Sequence, residues 1–264
     1  MRKVRMITIL LVNLIVVTPS VAQDQRDYLV VAHRGVVTET LTENSLPSLA
    51  ETIRRGYTHI EADLRCTKDG QVVCLHDSSL RRTTSIRKHI HEVTLAELRE
   101  LVPEETVPSF ATFAKRCAGR IQLMPDIKKV PDDLKDAFYE GINAAMTKYD
   151  LLEHALFIGD KTVANRFKGR ARVSWRKPVD EMHFEGAEAA DPGRYYFVFG
   201  HAVDFTPESI RAYQDRGLQV VVSINTFHYR KTESMERGLR DVKTMLVWGA
   251  DGVQIDSVYE SALP

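Results

Sequence analysis

Short apolar runs alternate with amphipathic, capped segments along most of the chain, and this alternation limits the possible folds more than any other feature. Residues 28–32, 58–64, 71–75, 121–128, 155–158, 219–224 and 252–255 read as extended. Residues 44–55, 95–101, 108–117, 132–148, 206–216 and 233–248 read as helical. Local chemistry supports these assignments. Asn44 stands where a helix cap is wanted, with Pro47 in the first turn and Gly56 at the end. Thr206 and Pro207 open a later helix in the same way, and Gly217 ends it. Pro125 is awkward inside its extended run because it removes a ladder donor. Residues 177–196 carry no clear period. Strands alternating with helices argue for parallel βα units, and this many argue for closure. The expected fold is therefore a single α/β domain, a (β/α)₈ TIM barrel, which typically takes ~250 residues. No linker, repeat or low-complexity tract divides it.

The first residues stand apart from that pattern. Arg2, Lys3 and Arg5 form a basic start, residues 6–17 form a short apolar stretch, and Ser20-Val21-Ala22 ends on small residues. Residues 1–22 are expected to be a signal peptide cleaved after Ala22, leaving 23–264 as an exported domain, periplasmic or extracellular, with no transmembrane segment. A retained anchor is the alternative. The leader holds three of the 36 basic residues and none of the 36 acidic ones, so the remainder carries a net charge of −3. That balance argues against nucleic acid as a partner. Of the three cysteines, Cys66 and Cys74 flank the turn Lys68-Asp69-Gly70 and are the best pair for a disulfide; buried free thiols are the equal alternative.

The chemistry gathers near the start of the exported domain. His33 and Arg34 follow the first extended run, and Glu61 and Asp63 lie two apart in the second. On a strand that spacing puts both carboxylates on one face, where their repulsion calls for a cation. His76 ends the next run, and Asp126 and Lys128 are again two apart. In such a barrel these positions fall at the C-terminal mouth. Two histidines, two cations and three carboxylates are what is needed to hold a divalent metal, grip a phosphate and move protons near neutral pH.

These residues sit in longer motifs. They include His33-Arg34-Gly35, Glu43-Asn44-Ser45, Glu61-Ala62-Asp63, Thr67-Lys68-Asp69-Gly70, and the run from His76 to Thr84. Further on come Leu95-Ala96-Glu97-Leu98, Asp126-Ile127-Lys128, Ile224-Asn225 and the run from Gly249 to Asp256. With these motifs the chain resembles the glycerophosphodiester phosphodiesterase family from Tyr28 to its end, densely up to Thr84 and thinly between Asp150 and Pro207. The resemblance implies a (β/α)₈ barrel that hydrolyses a small-molecule glycerophosphodiester to glycerol 3-phosphate and an alcohol. It implies a divalent metal, Ca²⁺ or Mg²⁺, on Glu61, Asp63 and Asp126, with His33 and His76 as general acid and base. Arg34 and Lys128 would bind the phosphate. Two departures from the family pattern stand out. Asp126 replaces a Glu, and Val222 stands where an aromatic wall is usual, so the alcohol is expected to be loosely specified. Two other readings stay open. One is a sphingomyelinase D-like phospholipase, which shares the barrel and the acidic pair but lacks the two histidine motifs. The other is a non-catalytic barrel that binds phosphate or glycan.

Overall fold

The computed structural model describes residues 27–264. The expected leader and its cleavage point lie outside the described residues. Strands β1 (Leu29–Ala32), β2 (His59–Cys66), β3 (Val72–Cys74), β4 (Gln122–Ile127), β5 (Leu156–Phe157), β6 (Arg172–Trp175), β7 (Tyr196–His201), β8 (Gln219–Ile224) and β9 (Gly252–Ile255) form one sheet. All except β3 run parallel to their neighbours, in the order β1-β2-β4-β5-β6-β7-β8-β9, and β9 returns to β1. This is the eight-stranded parallel barrel that the alternation predicted.

The β4–β5 join is its thinnest seam. One parallel bridge, Asp126 to Ile158, links the two strands, with Ile158 N donating to Pro125 O at 2.8 Å and Ile127 N to Ile158 O at 3.2 Å. The Pro125 carbonyl faces β5, so the N–H that proline lacks is missing from that same side. The awkward proline is thus accommodated where the ladder is already short.

β3 is not a barrel stave. It folds back antiparallel on β2, pairing Leu64 with Cys74 and Cys66 with Val72. The excursion after it builds its own small core from Val73, Leu80, Ile90, Leu98 and Val107. Cys66, Cys74 and Cys117 are buried free thiols, packed as small apolar residues on the helix side of the sheet.

Strand alternation divides the barrel into two layers. Ile60, Ala62, Leu123, Val220 and Val222 face the surrounding helices. Their neighbours along each strand, Val31, Met124, Leu156, Phe197, Phe199 and Val221, fill the interior. The charged and polar residues of the mouth lie above that apolar plug, at the C-terminal strand ends.

Most helices begin where local chemistry asks. The helix Leu46–Arg54 is capped by Ser45, whose hydroxyl accepts from Ser48 N; Asn44, proposed as cap from sequence, is engaged elsewhere. A cap of this kind contributes ~1 kcal/mol. Thr206 caps Pro207–Gln214 as expected. Residues 132–148 split into a 3₁₀ turn, Asp132–Leu134, and an α-helix, Lys135–Lys148. Sequence reasoning missed the helix Lys161–Phe167 and strands β6 and β7, and it left 177–196 unassigned; that stretch holds the short helices Ala187–Ala190 and Pro192–Tyr195.

Candidate active site

The turn out of β1 does the first work of positioning. Arg34 has φ +58° and Gly35 φ +82°, and a Cβ on Gly35 would come within 2.2 Å of Ser48 Oγ. Only glycine fits there. The turn aims the Arg34 backbone N–H at Glu61 Oε2, 2.8 Å away. The Arg34 carbonyl in turn accepts from Asn44 N at 2.9 Å. Asn44 then clamps Asp63 twice: Nδ2 donates to Asp63 Oδ2 at 2.7 Å, and Oδ1 accepts from Asp63 N at 3.0 Å.

Glu61, Asp63 and Asp126 meet at the mouth, with one oxygen from each lying within 4.8 Å of the others. β2 and β4 run in register, Asp63 beside Asp126, so one alternation sets all three. Lys128 Nζ bridges Asp63 Oδ1 at 2.7 Å and Asp126 Oδ2 at 2.6 Å. Arg34 Nε lies 3.3 Å from Asp63 Oδ2 but is not aligned to donate to it, so it is a buried donor without an acceptor.

Each histidine is held through its Nδ1. His33 Nδ1 is 2.6 Å from Asp256 Oδ1, and the other Asp256 oxygen accepts from Thr226 N and Thr226 Oγ1, both at 2.7 Å. His76 Nδ1 is 2.7 Å from Asp77 Oδ1. Asp77 Oδ2 accepts from Arg82 Nε at 2.6 Å, and Arg82 makes a bidentate pair with Glu43 at 2.6 and 2.9 Å. Glu43 also faces Arg34 Nη1 at 3.4 Å, so His76 and Arg34 are joined through one chain of charges. Leu75 N donates to Asp63 O at 2.9 Å, which brings His76 down beside the acidic trio. With Nδ1 so held, Nε2 is the ring nitrogen of each histidine available to a further partner.

The seven residues singled out from sequence therefore collect at one end of the barrel. Five more belong with them and had no role in the site assigned from sequence: Asn44, Glu43, Asp77, Arg82 and Asp256. All five lie inside the motifs quoted above, which is the signal that could have found them.

Burial and neighbouring charge set the electrostatics. Burial, with Asp63 and Asp126 alongside, pushes the Glu61 carboxyl well above the usual carboxylate range. Burial also opposes ionisation of Asp63, but Lys128 and Arg34 outweigh it and hold that group low. Desolvation pulls Lys128 down, yet Asp63 and Asp126 reverse this and keep it raised. Asp256 is low because the bonds from His33 and Thr226 outweigh its burial. The Arg82 hydrogen bond does the same for Asp77.

These observations test whether a metal fits. Three hard oxygen donors converge, and Glu61 resists ionisation because it is buried and two carboxylates crowd it. A divalent cation is the group that would relieve that crowding. The donor set suits Ca²⁺ or Mg²⁺ over a soft metal. The shorter Asp126 still reaches the cluster.

Val222 does not bear on the site. It is fully buried on the helix side, and its neighbours Ser223 and Asn225 point inward to Gln254. The aromatic ring at the mouth is Phe227, largely exposed and 5.7 Å from the His33 ring between centroids. The looseness expected from Val222 therefore loses its basis.

The model of the Glycerophosphoryl diester phosphodiesterase family matches residues 33–179, more than half of the chain. A glycerophosphodiester phosphodiesterase of Caldanaerobacter subterraneus is 36% identical over 73 residues, 28% of this chain and 30% of that protein. A lysophospholipase D of Mus musculus is 31% identical over 100 residues, 38% of this chain and 31% of that protein. The chain thus spans less than a third of the length of these curated relatives. A solved glycerophosphoryl diester phosphodiesterase from Parabacteroides distasonis superposes with a TM-score of 0.70 at 20% identity, covering 91% of this chain and 89% of that one. The Oleispira antarctica phosphodiesterase, solved with sn-glycerol-3-phosphate, gives 0.66 at 20% identity over 89% and 96%. Both likenesses establish a common fold.

Proposed function

Because the chain belongs to the glycerophosphoryl diester phosphodiesterase family, we propose that it hydrolyses glycerophosphodiesters to glycerol 3-phosphate and an alcohol. The observation that carries this reading is the pairing of two carboxylate-held histidines with an acidic trio and a buried Arg34 Nε that lacks an acceptor. That donor is what an incoming phosphoryl oxygen would satisfy. Lys128 uses two of its three N–H bonds on carboxylates and has one to give the phosphate.

In this reading Glu61, Asp63 and Asp126 hold a divalent metal. When bound, it would offset charge building on the phosphoryl oxygens. Arg34 and Lys128 orient the phosphate. One histidine takes a proton from the attacking oxygen through Nε2, and the other gives its proton to the leaving alcohol oxygen as the P–O bond breaks. If the glycerol 2-hydroxyl attacks first, the product is a cyclic phosphate. Water then opens it with the two histidines in exchanged roles. Asp256 and Asp77 keep each ring in place through its Nδ1.

The test is a panel of glycerophosphodiesters supplied to chelated protein with Ca²⁺, Mg²⁺ or Mn²⁺ restored in turn. Release of glycerol 3-phosphate is the expected result. Choline release from a lysolipid with no action on glycerophosphocholine would point to the sphingomyelinase D-like reading. Binding without turnover would leave only a non-catalytic barrel.

We propose also that the domain is exported after removal of residues 1–22, on the strength of the basic start, the short apolar stretch and Ser20-Val21-Ala22. Among the described residues no helix is long and apolar enough to cross a membrane. N-terminal sequencing of native protein should read from Gln23. A terminus at Met1 would overturn this.

A further inference from the structure

Along β6, Arg172, Ser174 and Arg176 alternate onto the interior side of the barrel. The lower two are satisfied: Arg172 Nη1 donates to Gln219 Oε1 at 2.7 Å, and Ser174 Oγ accepts from Gly159 N at 3.3 Å. Arg176, at the mouth, differs. Its guanidinium lies over the Phe199 ring, 5.5 Å from the centroid, and among the described residues it has no ion pair or hydrogen bond. Phe199 belongs to the interior cluster with Met124 and Ile158, so this cation stands over the floor of the barrel.

Arg176 and Phe199 line a cavity of about 570 Å³ at the ends of β6 and β7, shared with His201, Asp204 and Tyr213. That is a common size for a small-ligand site. A run of ring contacts leads from it to His33. His201 stacks on His228 at 3.9 Å, His228 meets Phe227 at 4.4 Å, and Phe227 meets His33 at 5.7 Å. Burial holds His228 down to about 4, so its ring adds no charge at neutral pH. The other charges around the cavity are partly engaged or peripheral. Asp204 accepts from His201 N at 2.8 Å, Lys177 faces Glu181 at 3.5 Å, and Asp180 is exposed at the rim.

We propose that this cavity seats the leaving alcohol, and that Arg176 selects alcohols carrying their own anionic group, a carboxylate or a phosphate. A guanidinium offers a planar fork to such a group, and a neighbouring aromatic face fixes its plane. A choline-like cation would meet like charge there. The proposal rests on the phosphodiesterase reading for the identity of the substrate, and it takes the place of the loose specificity expected from Val222.

Glycerophosphoserine and glycerophosphoethanolamine differ by one carboxylate and so isolate the contact. With metal-loaded, full-length mature protein, kcat/KM should favour the serine diester. Arg176→Gln should lower kcat/KM for serine on the order of tenfold or more, the scale of a charged hydrogen bond. It should not lower kcat/KM for ethanolamine, whose ammonium loses a like charge, and Arg176→Lys should restore part of the preference. Indifference of the unaltered protein to the carboxylate would overturn the proposal, as would an equal loss on both diesters in Arg176→Gln. Calorimetric binding of the same two diesters reads the same preference without turnover. Protein that hydrolyses neither diester, yet binds serine more tightly through Arg176, would refute the reaction and retain this inference. Equal binding of both would refute the inference itself.

Discussion

Replacing His33 or His76 by alanine will lower turnover by roughly a hundredfold to ten-thousandfold, the usual scale for losing a general acid or base. KM should change far less, because Arg34 and Lys128 still grip the phosphate. The loss should be similar for the two variants, since each histidine serves one direction of proton transfer and neither can replace the other. Asp256→Asn should give a smaller loss, roughly tenfold to a hundredfold, because the ring would keep a partner at Nδ1 but lose the charge-assisted bond that fixes its orientation. Steady-state kinetics on variants checked for native circular dichroism would measure all three. Near-normal turnover in His33→Ala or His76→Ala would make that histidine structural and the mechanism wrong.

Removal of divalent metal should abolish activity, and return of Ca²⁺ or Mg²⁺ should restore it. The trio gives a second readout that needs no substrate. Ion bound to the folded state alone stabilises it by about 2.7 kcal/mol at a hundred times its Kd. The melting temperature should therefore rise on adding the ion to chelated protein. In Glu61→Gln the rise should shrink sharply, because one of three charged donors is lost. Asp126→Glu should keep both activity and the rise, with an altered preference among metals. Asp126 is the most exposed of the trio. Full activity in protein free of metal by elemental analysis would overturn metal dependence. An unchanged melting temperature with and without ion would remove the trio as its site.

Sequence alone determined what depends on neighbours a few residues apart. Period-2 and period-3.6 patterns marked Leu95–Leu101, Gln219–Ile224 and Gly252–Ile255 to the residue, because each combines a strong pattern with a clear stop. Alternation put Glu61 with Asp63, and Asp126 with Lys128, on shared faces, because a strand's two faces follow from its covalent geometry. Tertiary structure decided the rest. β6 and β7 were missed because the first, Arg172–Trp175, has no apolar run and the second follows an irregular stretch; barrel neighbours supply the pairing that local pattern could not signal. Asn44 looked like a cap until the fold brought Asp63 within its reach, leaving Ser45 to cap. Val222 looked like part of the site until the barrel turned its face toward the helices. Asp256 is 223 residues from His33, and Arg82 is 39 from Glu43. No local rule pairs residues so far apart. They meet because closing the barrel brings its last strand beside its first and all the strand ends to one mouth, where a buried charge is stable only with a partner.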